Sequence, residues 1–230
     1  FARCAISAIA VCCAIGANAA TVSPVLVELS PKQPVKTVRF QNDSDDVVVL
    51  QVQALNWLQE NGLDIYNDAT QLVVSPRIVR IPAHATQVFR IIERAPIGSA
   101  ERAYRLILED ITSDADQAEQ GGAQVKLRIN HNLPVFGAPA TAGRAMPFWS
   151  RCVAPVRKTC LRLENRGNKR IRIADVSINQ GENKAQLKIV DAVLAGSWKE
   201  WVVDAGGIGQ GASVIRYRTE SGAASAEILQ

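Results

Sequence analysis

Short runs of alternating apolar and polar residues, each closed by a turn signal, recur along most of this chain. They constrain its fold more than any other feature. Val48, Leu50, Val52 and Ala54 alternate with Val49, Gln51 and Gln53, and Trp57 follows. Asn61-Gly62 then supplies a hairpin turn. Pro76 and Pro82 bracket Arg-Ile-Val-Arg-Ile, and Gln87–Ile92 forms another run. Tyr104, Leu106 and Leu108 alternate with Arg105, Ile107 and Glu109, and Val125, Leu127 and Ile129 alternate with Lys126, Arg128 and Asn130. A period of two puts one side of each run on a core and the other in solvent. Many such runs at regular spacing predict an all-β chain built as sandwiches.

Two polar or small-residue zones divide the runs. Residues 112–124 are polar and Gly-containing and read as a loop. Residues 137–147 are rich in Pro, Gly and Ala and suit a linker. Strand patterns resume at Cys160-Leu-Arg-Leu, Ile171-Arg-Ile, Val176-Ser-Ile, Leu187-Lys-Ile, Val202-Val, Val214-Ile and Ile228-Leu. The expected organisation is therefore one β domain over residues 21–138 and a smaller one over 139–230.

The first twenty residues read as a leader. Arg3 precedes an apolar run from Cys4 to Ala17, and Ala17-Asn18-Ala19 offers a cleavage site of the A-x-A type. The run is shorter than the ~20 residues that a membrane span needs. The expected form is an exported protein without membrane insertion. Three of the five cysteines, Cys4, Cys12 and Cys13, lie in this leader. Cys152 and Cys160 remain, and two cysteines in an exported chain imply one disulfide that pins a local hairpin. A metal site at that pair finds no nearby histidine, because His84 and His131 are both distant in sequence. The net charge of +4 comes from 26 basic and 22 acidic residues scattered along the chain. No basic run with interleaved aromatics marks a nucleic-acid groove.

Catalytic patterns do not surface. The chain contains neither G-x-S-x-G nor H-E-x-x-H. Gly206-Gly-Ile-Gly-Gln-Gly211 lacks the phosphate-loop spacing, and a strand pattern rather than a helix follows it. Asp64 and Asp68 do not belong to a calcium loop. His131 shares a strand face with Val125, Leu127 and Ile129, which suits a structural or interface histidine. No enzyme, cofactor or metal is expected.

With these residues in place, the chain resembles the periplasmic chaperones of the chaperone–usher pilus pathway. This is the PapD-like group, and within it the branch that serves archaic, spore-coat-U-type pili. The resemblance runs through Ala20-Thr-Val-Ser-Pro24, the Asn42 turn after Val38-Arg-Phe, Trp57, Ser75-Pro-Arg-Ile-Val-Arg-Ile-Pro82, Tyr104-Arg-Leu106 and the strand from Val125 to Phe136. In the second half it runs through Leu163-Glu-Asn165 and Val193-Leu-Ala-Gly-Ser197, followed by Trp201.

The family fold implied is two immunoglobulin-like domains set at an angle, with a pilus subunit held in the cleft. Such a subunit is a sandwich missing its last strand, and the chaperone fills the gap with a strand of its own. By offset from Pro139 the donor positions fall on Val125, Leu127 and Ile129. Better-known members bind the terminal carboxylate of the pilus subunit with two basic residues. Those positions fall here on Pro134 and near Leu26, neither of them basic. Arg90, Arg105 and Arg128 are the candidate substitutes, since a guanidinium can grip a carboxylate through two parallel hydrogen bonds. Implied partners are pilus subunits and an outer-membrane usher, and an exposed donor strand can also cap itself in a homodimer. Two rival readings remain: a pilus subunit or surface adhesin, and a secreted β-sandwich enzyme or carbohydrate-binding module. The first is disfavoured by two complete sandwiches. The second is disfavoured by only three Tyr and four Trp with no clustered platform.

Overall fold

The computed structural model describes residues 20–113, 128–153, 155, 158–204, 208–209 and 211–228. Residues 1–19 of the leader expected at 1–20, and the expected donor positions Val125 and Leu127, lie outside them. No helix occurs among the described residues. The first half consists of β1 (Thr21–Ser23), β2 (Val27–Leu29), β3 (Val35–Gln41), β4 (Val48–Glu60), β5 (Leu63–Asp68), β6 (Leu72–Ser75), β7 (Ile78–Ile81), β8 (Thr86–Glu93), β9 (Arg102–Asp110) and β10 (His131–Gly137). The second half holds β11 (Pro147–Cys152), β12 (Thr159–Asn165), β13 (Ile171–Gln180), β14 (Asn183–Leu187), β15 (Asp191–Val193), β16 (Trp198–Val203), β17 (Ser213–Thr219) and β18 (Gly222–Ile228).

Each half is a sandwich with its own core. In the first, the sheet β1-β3-β8-β6 faces the sheet β2-β10-β9-β4-β5, to which β7 adds by pairing with β4. Val38, Phe40, Phe89 and Ile91 from one sheet meet Leu50, Val52, Leu106, Leu108 and Val135 from the other. The alternation read from β4 and β9 is the one that faces this core. In the second half, β11-β12-β16 faces β14-β13-β17-β18 around Leu161, Leu163, Ile173, Val176, Ile178 and Ile215.

Several local expectations are met by identifiable chemistry. Asn61 and Gly62 sit at φ 51° and 78°, the left-handed pair that a tight β4–β5 hairpin needs. Cys152 and Cys160 are directly opposed across β11 and β12 and form the expected disulfide. Asn42 is buried, and its side-chain amide binds the carbonyls of Asp46 and Pro82, which holds the turn after β3. The structure also departs from the sequence reading. Ile171-Arg-Ile and Val176-Ser-Ile are one strand, β13, with a bulge at Asp175 (φ 50°) between them. The extra residue restores the inward phase of the second run. The linker is bound on both sides, through Ala138 N–H to Leu29 O, Ala140 N–H to Gly98 O and Arg144 N–H to the Asn168 side chain.

The two sandwiches meet in three sets of contacts. Trp57 and Phe136 pack with Leu194, joined by Leu26, Ala103 and Ala192. At the β4–β5 hairpin, the Gln59 side-chain amide donates to Ala192 O and accepts from Leu194 N–H, both at 2.9 Å. Asp64 accepts from Trp57 Nε1, Gln59 and Lys199, and Lys199 also reaches Asp191. The third set centres on Arg170, whose side chain is 1% exposed. It contacts Glu101 at 2.6 Å and Glu28 at 2.7 Å, and its guanidinium lies 3.6 Å from the Phe136 ring centroid.

Burial alone would push the Asp64 carboxyl up, but the hydrogen bonds from Lys199, Trp57 and Gln59 outweigh it and set it below its ordinary value of 3.8. Burial pushes Glu101 up against the pull of Arg170.

Three outcomes follow from these contacts. Gly137 lies against the Glu93 carboxylate, which Arg102 and Tyr104 hold in place. A methyl group there has no room, so Gly137→Ala should lower stability by about 1–3 kcal/mol, seen as a shifted urea midpoint at unchanged slope. Arg170→Ala leaves Glu101 buried without its facing guanidinium, with the backbone N–H of residue 170 still donating to it. It should cost roughly 3–5 kcal/mol and split the unfolding into two calorimetric transitions. Asp64, with its lowered folded-state pKa, contributes stability that is full above pH 3.8 and is lost as pH falls through that lowered value. Asp64→Asn should therefore flatten that part of the stability–pH curve.

Candidate functional site

Strand β10 is only half enclosed. On one side all seven of its residues pair with β9, from His131↔Leu108 to Gly137↔Arg102. On the other side β2 pairs with it, in parallel, only over Val135–Gly137. Among the described residues no strand covers the outer edge of His131–Pro134. The cause lies at the N-terminus, where β1 pairs with β3 in the opposite sheet and the chain crosses over at Pro24 before entering β2. Pro134 fits such a place, because a strand residue without an N–H is tolerated at an edge and not in a sheet interior.

The root of β10 is firmly held. Phe136 is buried beneath Arg170, Gly137 lies on Glu93, and Leu133 and Val135 point into the core. His131, at the open end, sets its ring edge-on against Phe40 at 5.9 Å between centroids. Its Nε2 is buried without a hydrogen-bond partner among the described residues, and burial lowers its pKa, which favours the neutral ring. His131 is therefore a packing residue at the mouth of the core. Ile129 lies just ahead of β10 and is 49% exposed, a solvated aliphatic side chain beside an open backbone edge.

The face of this sheet that points away from the core carries the candidate anchor. Leu55, Arg105 and Pro134 form one row across β4, β9 and β10, and Gln53, Ile107 and Asn132 form the next. Arg105 thus stands beside Pro134, one of the positions to which the resemblance assigns a basic residue. Its guanidinium carbon lies 3.8 Å from the Trp57 ring centroid, and its Nε is buried without a hydrogen-bond partner among the described residues. Stacking on indole fixes the plane of the guanidinium and leaves its outer nitrogens able to donate. Leu26 packs in the Trp57–Phe136–Leu194 cluster.

The three arginines do not converge. Arg90 pairs with Thr37 and Ser75 in the other sheet, where its side chain lies on the solvent face. That sheet contains neither β9 nor β10, and strand alternation gives a residue's face but not its sheet. Arg128 is exposed ahead of β10. Arg170 and Glu101, which tie the sandwiches together, escaped the sequence reading. Arg170 and Arg172 flank Ile171 with the period of any solvated strand face, and the partner Glu101 lies 69 residues away. The glycine-rich stretch serves the second sandwich, with Gly209 N–H bound to Gln180 and Gly211 O bound to Arg151.

Residues 19–142, more than half of the chain, match the family model described as pili and flagellar-assembly chaperone, PapD N-terminal domain. The sequence has no match among curated proteins. Among solved structures it is similar to one of the CsuC–CsuE chaperone–tip adhesion subunit pre-assembly complex from archaic chaperone-usher Csu pili of Acinetobacter baumannii. That likeness has a TM-score of 0.70 at 18% identity over 92% of this chain and 98% of the other. The Salmonella enterica SafA pilin–SafB chaperone complex gives a TM-score of 0.62 at 15% identity over 92% and 96%. The E. coli chaperone DraB gives 0.61 at 16% over 92% and 97%. At such identities the likeness speaks to the fold, two immunoglobulin-like sandwiches, and the family match speaks to kinship. The chain belongs to the pili and flagellar-assembly chaperones, a family of assembly factors and not of enzymes.

Proposed function

We propose that this chain is a periplasmic chaperone that captures unfinished pilus subunits by donor-strand complementation and delivers them to an outer-membrane usher. One observation carries the reading: the outer edge of His131–Pro134 is bare among the described residues, while the rest of β10 is clamped. A strand rooted in a core and open along one edge offers backbone hydrogen bonds to an incoming sheet without first having to be ordered. The side chains that would enter the groove of the pilus subunit are Val125, Leu127 and Ile129, on one face by period two. Fully burying three aliphatic side chains gives roughly 5–9 kcal/mol before ordering costs. Arg105 is the proposed carboxylate anchor, because it alone of the three candidates stands on the sheet face next to Pro134.

The leader at 1–20 supports export to the periplasm, and the cross-strand disulfide suits an oxidising compartment. The boundary proposed between the domains, 138/139, falls between β10 and β11. When no pilus subunit is bound, the same bare edge can pair with a second copy and give a self-capped homodimer.

Periplasmic co-expression with a cognate pilus subunit should give a soluble 1:1 complex. Leu127→Arg should abolish the complex and leave the unfolding midpoint of the free chaperone unchanged. Normal capture by that variant defeats strand lending. Arg105→Gln should weaken capture about tenfold or more, the loss of one charge-assisted contact. Unchanged capture removes Arg105 as the anchor while leaving strand lending intact.

A further inference from the structure

Strand lending uses one edge of the larger sheet in the first sandwich and leaves the other edge free. In the order β2-β10-β9-β4-β5, strand β5 is paired on one side only among the described residues. It stands three strand spacings from β10, roughly 14 Å away. Ala69 N–H bonds to Ala54 O, and antiparallel alternation fixes the rest of the hairpin from that bond. The backbone groups of Leu63, Ile65 and Asn67 turn toward β4, and those of Asp64 and Tyr66 turn outward. Beside this edge lies an uncovered apolar patch. Leu58 is opposite Ile65 and Glu60 is opposite Leu63, so these four side chains share one face. Leu58 is 42% exposed, Leu63 66% and Ile65 37%. We propose that the β5 edge is a second docking site, which adds a strand of another polypeptide whose aliphatic residues alternate with Lys or Arg.

The edge is held rigidly from behind. Gln59 and Asp64, on the opposite face of the hairpin, fasten it to the second sandwich. A Cβ on Gly62 would lie 2.7 Å from the Trp198 ring, so the turn rests directly on that indole. An incoming strand therefore meets an ordered template and gains backbone hydrogen bonds at low ordering cost. The surrounding charge selects the occupant. From Gln41 to Pro76 the chain carries Asp43, Asp45, Asp46, Glu60, Asp64 and Asp68 and no Lys or Arg, although the whole chain is net positive. Lys199 neutralises Asp64, while Glu60 and Asp68 have no ion-pair partner among the described residues. Glu60 lies on the face of the patch, and Asp68 closes the strand. Asp68 and Arg77 line a cavity of about 450 Å3 at that end, where a long side chain finds room. The same charges disfavour a second copy of this chain as occupant. Pairing β5 with β5 about a two-fold axis brings Glu60 and Asp68 of both copies together and adds no cation between them.

The test titrates the intact, isotope-labelled protein with the synthetic peptide (Val-Lys)4, and with (Val-Glu)4 as its control, followed by nuclear magnetic resonance. (Val-Lys)4 should protect the Asp64 and Tyr66 amides from exchange and shift the resonances of Leu63 and Ile65, with an affinity that falls as salt rises. (Val-Glu)4 should bind at least about tenfold more weakly. Leu63→Lys puts a like charge into the exposed patch. It should weaken (Val-Lys)4 about tenfold or more and leave the unfolding midpoint of the protein unchanged. Asp68→Asn should weaken the peptide about two- to fivefold, the loss of one solvated ion pair. Binding confined to the β10 edge, equal affinity for the two peptides, or unchanged affinity in Leu63→Lys would each overturn the proposal. So would a concentration-dependent dimer that Leu63→Lys returns to monomer, since a second copy would then occupy the edge.

Discussion

Arg170 is the residue on which the relation between the two sandwiches depends. A guanidinium with 1% of its side chain exposed carries a desolvation cost of several kcal/mol. Here two carboxylates and an aromatic face of the first sandwich meet it, from Glu28 in β2, Glu101 just before β9 and Phe136 in β10, and Glu220 of the second sandwich stands 3.7 Å away. These elements are the parallel pair β2 and β10 at the edge of the sheet and β9, the next strand in it. The second sandwich therefore grips the first at the root of β10, whose outer edge is partly open. The Asp64–Lys199–Asp191 chain and the Gln59 clamp hold the other side of the interface, at the β4–β5 hairpin.

This placement divides β10 into two unlike halves. Val135–Gly137 have β2 on one edge, β9 on the other, Arg170 above Phe136 and Glu93 against Gly137. Among the described residues, His131–Pro134 have β9 alone. The direction of the open half is set by the clamped half, so the strand's orientation does not have to be acquired during binding. The Glu93–Arg102–Tyr104 group strengthens the same root. Burial and the neighbouring Glu93 carboxylate push the Tyr104 hydroxyl up to about 12, so it remains a hydrogen-bond donor throughout the working pH range.

The fold was legible in the sequence wherever a local rule acts alone. Alternation in β4 and β9 marks the core-facing residues, Asn61-Gly62 marks a hairpin and the cysteine pair marks another. Legibility ends where the outcome depends on which strands become neighbours. Arg90 and Arg105 sit on strands with similar alternation, yet β8 and β9 enter opposite sheets and only Arg105 reaches the face beside Pro134. The crossing of the N-terminal segment from one sheet to the other bares the β10 edge, and no periodicity announces it. The bulge at Asp175 had the opposite effect. One inserted residue makes a single strand look like two, because the inward phase is lost and recovered within five positions.

A bare edge invites pairing with any free strand, so its length and composition matter. The open part of β10 covers four residues. One of them, Pro134, has no N–H, and another, Asn132, is polar and exposed. So short an edge, short of one donor, gains little from backbone pairing alone. On the proposed reading, selective capture must then draw on the side chains ahead of it, which are buried only in a groove of matching depth. The clamped root supplies orientation, the short edge supplies register, and the aliphatic side chains supply affinity. Each part is too weak to hold an indiscriminate partner by itself, and a long uninterrupted edge would lose that selectivity.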